Sequence, residues 1–163
     1  MRLFYLANLA LLLPQFAHAD TATGRVFLDQ NQNGVLDPAE QGIADVRVSN
    51  GLNVVTTDTQ GRYEISVKDP AIVFITKPSG YATPVNQHML PRFYYIHQPD
   101  GSPTGLRYEG IAPTGPLPEQ INFPLIERPE DPRFEAILLA DTQPQTDREM
   151  DFIRDDVIAE LIG

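Results

Sequence analysis

Apolar and polar residues alternate at a period of two through much of the chain. Tyr63, Ile65 and Val67 are separated by Glu64 and Ser66, which puts the three on one face of a strand. Val46-Arg47-Val48 alternates in the same way and leads into Asn50-Gly51, a strong hairpin signal because both residues tolerate positive φ. Val54 to Thr57 reads as the returning strand and Asp58-Thr59-Gln60-Gly61 as the next turn. Arg25 to Leu28 opens the series. Ala71 to Ile75 is a continuous apolar run, which predicts a strand buried on both faces, closed by Lys77-Pro78-Ser79-Gly80. Ile121 to Leu125 alternates again and predicts the last strand. Short strands at regular spacing, with turn residues between them, indicate an antiparallel β-sandwich from about Thr21 to Leu125.

Both ends of the chain leave this pattern. Met1-Arg2 is a short positive start, Leu3 to Leu13 is apolar except for Asn8, and Ala17-His18-Ala19 is a small-x-small cleavage site. That layout predicts a secretory signal peptide over residues 1–19, too short to span a bilayer, and export to the periplasm or the extracellular space. No second such run follows, so no transmembrane segment is expected. At the other end, Phe134 to Ala140 predicts a buried strand with Asp141 at its carboxyl end. Thr146-x-x-Glu149 is a capping box, after which Met150, Ile153, Val157 and Leu161 recur at helical spacing. Strand, carboxylate-bearing turn, helix is the opening unit of an α/β layer. The expected organisation is therefore a signal over residues 1–19, a sandwich over 20–126, a linker over 127–133 and a strand–helix unit over 134–163.

Between Pro78 and Pro132 lie 11 of the chain's 15 prolines. Proline cannot donate to a ladder, so this stretch is expected to be mostly loop. Within it, Phe93-Tyr94-Tyr95-Ile96 forms an aromatic cluster, read either as packing over an open end of the sandwich or as a docking surface for a neighbouring domain or a ligand. The chain has no cysteine, which removes disulfides, thiolate metal sites and cysteine nucleophiles together. It has no G-x-S-x-G either. The formal net charge is −10, which argues against a nucleic-acid-binding surface or a polybasic membrane face.

The most informative stretch runs from Asp29 to Glu40. It fits D-x-[DN]-x-[DN]-G-x5-E at each specified position. Calcium takes roughly six to eight oxygens. Asp29, Asn31 and Asn33 would offer alternate side-chain oxygens, Gly34 would allow the turn, Val35 would offer its carbonyl, Asp37 would bind directly or through water, and Glu40 would close the shell with both oxygens. Arg25 to Leu28 is a strand, and Pro38 precludes a smooth exiting helix, so the flanks are not those of an EF-hand. The reading is a structural calcium clamp between strands, with no helix pair to open as a sensor does. The alternative is an Asn/Asp/Gly turn that binds no metal.

Gly24 to Asp29, the Asn-rich loop, Glu40-Gln41-Gly42-Ile43, Val46-Arg47-Val48 and Thr57 to Tyr63 resemble the B-type repeats of bacterial surface adhesins, which implies a small calcium-stabilised sandwich of immunoglobulin-like or prealbumin-like form. The chain resembles more closely the N-terminal domain of secreted calcineurin-like metallophosphoesterases. That resemblance runs on through Ile72 to Tyr81, Leu90 to His97 and Ala112 to Pro118 into the C-terminal segment. It implies an exported hydrolase acting on a phosphoester substrate with a pair of divalent transition metals. It also implies that the strand–helix unit begins the catalytic α/β domain, with the chain truncated just after that start. In the family the first strand ends in Asp-x-His, both metal-binding. Asp141 matches the Asp, and Gln143 stands where the His would be, a weaker ligand for a transition metal. The later Gly-Asp-x-x-Asp, Gly-Asn-His and Gly-His-x-His motifs do not occur in these 163 residues. No complete catalytic set is present, so the chain alone is expected to be inactive and its partner is its own missing catalytic domain.

Two functions compete: an accessory module of an exported metallophosphoesterase, and a non-enzymatic, calcium-stabilised binding or adhesion module. Phe134 to Gly163 discriminates, because an adhesion module has no need of a strand and a capped amphipathic helix.

Overall fold

The computed structural model describes residues 20–136, 138 and 143–162. The chain divides into two compact units, Met1–Glu130 and Asp131–Gly163. In the first unit the period-two segments become strands β1 (Asp20–Leu28), β2 (Arg47–Ser49), β3 (Val54–Thr56), β4 (Arg62–Val67), β5 (Ala71–Thr76), β6 (Tyr81–Ala82), β7 (Tyr94–His97) and β8 (Phe123–Glu127). They form two four-stranded sheets, ordered β4-β1-β8-β6 and β3-β2-β5-β7. The fold is thus mainly β, a sandwich whose ladders are antiparallel except where β8 runs parallel to β1, with Val26 opposite Phe123 and Leu28 opposite Leu125. Pro124 sits inside β8 because β6 pairs only with Ile126 and Glu127, so the missing N–H removes no ladder bond on that side.

Side chains of alternate residues from both sheets fill the space between them. Val26, Tyr63, Ile65, Phe123 and Leu125 come from one sheet, and Val48, Val73 and Ile75 from the other. Each large apolar side chain buried this way contributes about 1.5–3 kcal/mol. The turns follow their chemistry. Asn50 Oδ1 accepts from the N–H groups of Leu52 and Asn53, closing the β2–β3 hairpin with Gly51 at φ 86°. Asp58 accepts from the backbone N–H of Arg62 and of Gln60, and these bonds hold its carboxyl below the ordinary range. Tyr63 stacks on Phe123 at 6.1 Å and donates its hydroxyl to Ile121 O at 2.6 Å, and burial pushes its pKa up.

Two expectations change. β5 alternates rather than being buried on both faces: Val73 and Ile75 are buried, whereas Ile72 is 48% exposed. The reason is that β5 lies within the second sheet, whose inner face alone packs on the core. The aromatic cluster is not loop. Tyr94 to Ile96 lie in β7, the edge strand beside β5, while Phe93 and Tyr95 pack against the core and Tyr94 stays exposed. Between Arg92 and Gln98 there is no proline, so the ladder forms where the proline-rich stretch pauses.

In the second unit Thr146 caps the helix as its sequence predicts, its hydroxyl accepting from Glu149 N while Glu149 Oε2 accepts from Thr146 N. Helix α1 (Asp147–Phe152) passes through a π-helical stretch (Ile153–Ile158) into α2 (Ala159–Ile162). The described residues of the expected strand, Phe134, Glu135, Ala136 and Leu138, form no ladder. Phe134 is 83% and Leu138 93% exposed, and the described residues of this unit supply no partner strand. Ile137, Leu139 and Ala140 lie outside the described residues, as does the signal segment of residues 1–19.

Gly24 marks one of the tightest spots of the sandwich. A Cβ there would sit 1.9 Å from Ile121 O, against the same carbonyl that Tyr63 binds. Gly24→Ala should therefore lower stability by about 2–4 kcal/mol, read as a drop in the urea midpoint. A loss below about 1 kcal/mol would show that β1 and the Ile121 segment are not held this close.

Candidate metal centre

Leu28 ends β1, and the loop that follows is closed at its base by backbone pairing. Leu28 N donates to Gln41 O at 2.8 Å, Ile43 N donates to Val26 O at 2.9 Å, and Phe27 bridges Gly42. Asp29 N donates to Leu125 O at 2.9 Å, so the first residue of the loop continues the contact between β1 and β8. This drives Asp29 to 1% exposure. A carboxylate buried that deeply needs donors, and the loop supplies them: Asn33 N to Oδ1 at 3.1 Å and Gly34 N to Oδ2 at 2.8 Å. Gly34, at φ 74°, and Gln32, at φ 58°, turn the chain back to make those bonds.

Glu40, 8% exposed, closes the far side. Its Oε1 accepts from Gln30 N and its Oε2 from Asp37 N, both at 3.0 Å. Asn31 and Asn33 form side-chain turns, their Oδ1 atoms accepting from Asn33 N at 3.0 Å and Val35 N at 2.7 Å. Their amide nitrogens both donate to Asp37 Oδ2, at 2.8 and 3.0 Å. Val35 is exposed at the tip. The structure therefore brings Asp29, Asn31, Asn33, Val35, Asp37 and Glu40 together in one loop.

The donors fit a hard cation in kind: carboxylate, amide and backbone oxygens, with no nitrogen or sulfur ligand. The carboxylates of Asp29 and Glu40 are oriented by backbone N–H groups, and each oxygen keeps a second lone pair for a cation. Among the described residues no group of three or more His, Asp or Glu forms a metal cluster. A shell here would therefore need the Asn and Val35 oxygens beside the carboxylates, and the cation would replace the two amide nitrogens now facing Asp37.

Of the second predicted metal position, Asp141 lies outside the described residues and Gln143 is exposed. His88 is exposed beside Gln87. His97 is 1% exposed at the end of β7, with Nε2 2.7 Å from Asp69 Oδ1 but off the direction of a hydrogen bond, and Nδ1 without a partner.

One neighbour of the loop carried no signal in the sequence. Arg92 Nη1 lies 3.8 Å from the position that a Cβ on Gly34 would take, and the two residues line one cleft. Only the fold brings these distant segments side by side.

Residues 30–110 match the family described as the N terminal of calcineurin-like phosphoesterase. The match takes in nearly all of the loop, β2 through β7 and part of the proline-rich stretch. No curated protein matches the chain.

Proposed function

We propose, for a chain that belongs to the N-terminal domain family of calcineurin-like phosphoesterases, that it is the calcium-stabilised accessory module of an exported phosphoester hydrolase. The family match over residues 30–110 is the observation that carries the enzyme context. The match covers β2 through β7 of the sandwich. The proposed chemistry belongs to an α/β domain beginning near Phe134, where Asp141 and, more weakly, Gln143 would stand at the first metal position. A divalent metal pair about 3.5–4 Å apart would clamp the attacking and leaving oxygens of the phosphoester. The other motifs for such a pair are not among these 163 residues.

Calcium enters on the geometry of the Asp29 loop. Its closure is tied to the β1–β8 contact through Asp29 N and Leu125 O. A cation that binds only this closed form stabilises the whole sandwich by mass action. The chain has no disulfide to do so. Export is read from the first nineteen residues, and among the described residues no helix is long and apolar enough to cross a membrane.

A hundredfold excess of calcium over its dissociation constant should stabilise the protein by about 2.7 kcal/mol, roughly 10 °C in the melting temperature against chelator. Glu40→Ala should lower the melt in chelator and erase the calcium increment, while identical wild-type melts would remove calcium from the proposal. N-terminal sequencing of exported protein should begin at Asp20, and an intact Met1 on protein outside the cytoplasm would overturn the signal reading. The 163-residue chain should hydrolyse neither a phosphomonoester nor a phosphodiester with manganese or zinc supplied. Metal-dependent turnover by the pure chain would refute the accessory role.

A further inference from the structure

We infer, resting on the calcium reading above, that Arg92 is a tethered cation that competes with calcium for the field of the Asp29 loop and so sets the affinity of the site. The loop carries three carboxylates, Asp29, Asp37 and Glu40. Arg92 Nη1 stands 3.8 Å from the Cβ position of Gly34. The N–H of Gly34 donates directly to Asp29 Oδ2 at 2.8 Å. The guanidinium thus stands beside the residue whose N–H holds the first proposed ligand.

Its placement is built into the fold. Arg92 N donates to Pro84 O at 2.7 Å, Val85 bridges Pro91, and Asn86 N donates to Leu90 O at 2.9 Å. Asn86 Oδ1 accepts from the N–H groups of His88 and Leu90, which fixes the tip of this small hairpin. On the other side Phe93 packs against the core and Tyr94 begins β7. The backbone is therefore held on both flanks of Arg92, and the side chain is delivered to the loop. Among the described residues Arg92 makes no ion pair. The loop carboxylates already accept from backbone and amide N–H groups, so Arg92 acts on them through its field.

That field has two opposite consequences. In the metal-free protein a positive charge near a loop that carries three carboxylates would relieve their mutual repulsion. When calcium enters, the same charge repels it. Removing the charge should therefore weaken the metal-free fold and tighten calcium binding together, and a purely packing role would produce only the first effect. At a separation of several ångströms near the surface the repulsion corresponds to on the order of fivefold in affinity. Arg92 is exposed, so the effect should fade with added salt as the Debye length shrinks.

The test is calorimetric titration of calcium chloride into the whole protein, wild type and Arg92→Gln, at about 0.02 M and about 0.5 M salt, with melts in chelator. The expected result is a dissociation constant about fivefold smaller for Arg92→Gln at low salt, a gap that closes at high salt, and a lower melt in chelator. Arg92→Lys should retain the wild-type affinity. Equal or weaker calcium binding by folded Arg92→Gln, with wild type binding normally, would overturn the role of Arg92 alone. Failure of wild type to take up any calcium would overturn the calcium reading, and this inference with it.

Discussion

The contact on which the structure turns is the one between the end of β1 and β8. Val26 faces Phe123 and Leu28 faces Leu125 in a parallel pairing, and the next N–H along, that of Asp29, donates to Leu125 O. Continuing the pairing by that one bond carries a carboxylate to 1% exposure. An unpartnered carboxylate there would cost several kcal/mol. The chain therefore has to fold back on itself, and Gly34 and Gln32 adopt positive φ so that two backbone N–H groups reach Asp29. The loop is shaped by the core beneath it.

This sets the relative weight of protein and metal in the loop. Asp29, Asp37 and Glu40 together accept six hydrogen bonds from backbone and amide groups. Each such bond to a charged acceptor contributes about 1.5–3 kcal/mol where it is shielded and less at the exposed tip. The loop thus closes on its own donors, and a cation bound there, as proposed, would add an increment governed by its concentration over its dissociation constant. On the proposed reading it would be a clamp tuned by its surroundings, unlike a site whose fold depends wholly on metal.

Most of the sandwich was legible because its signals are local. Alternation in Tyr63 to Val67, the Asn50-Gly51 turn and the Asp58 turn each depend on neighbours within a few residues, and each appears where the pattern puts it. What the pattern missed depends on partners far away in sequence. The apolar run of β5 gave no sign that its outer face would be uncovered, and Tyr94 to Ile96 became strand because β5 offered an edge. The parallel pairing of β1 with β8 joins the two ends of the sandwich, and no window of sequence contains both. The loop residues were readable as a set of oxygens, but the burial of Asp29 and the approach of Arg92 were not, since Leu125 and the Pro84–Arg92 hairpin create them.

The exit from the sandwich bears on how an accessory module could serve a neighbour. β8 ends at Glu127, yet the chain is not released there. Arg128 N donates to Gly80 O at 2.8 Å, and the Glu130 carboxylate accepts from Lys77 Nζ and from Ser79 Oγ. The bonds from Lys77 and Ser79, the Lys77 bond above all, hold the Glu130 carboxyl at about 2. Its folded-state value lies below its ordinary one, so whatever these bonds contribute is present above the ordinary carboxylate range and is lost as pH falls towards that value. Being exposed, each is weak alone. Their effect is geometric: three contacts in the turn after β5 fix where the chain leaves, so the residues after Glu130 start from a defined point. Arg128 and Glu130, within the segment 127–133 expected as a linker, are thus bonded to the sandwich at their near end.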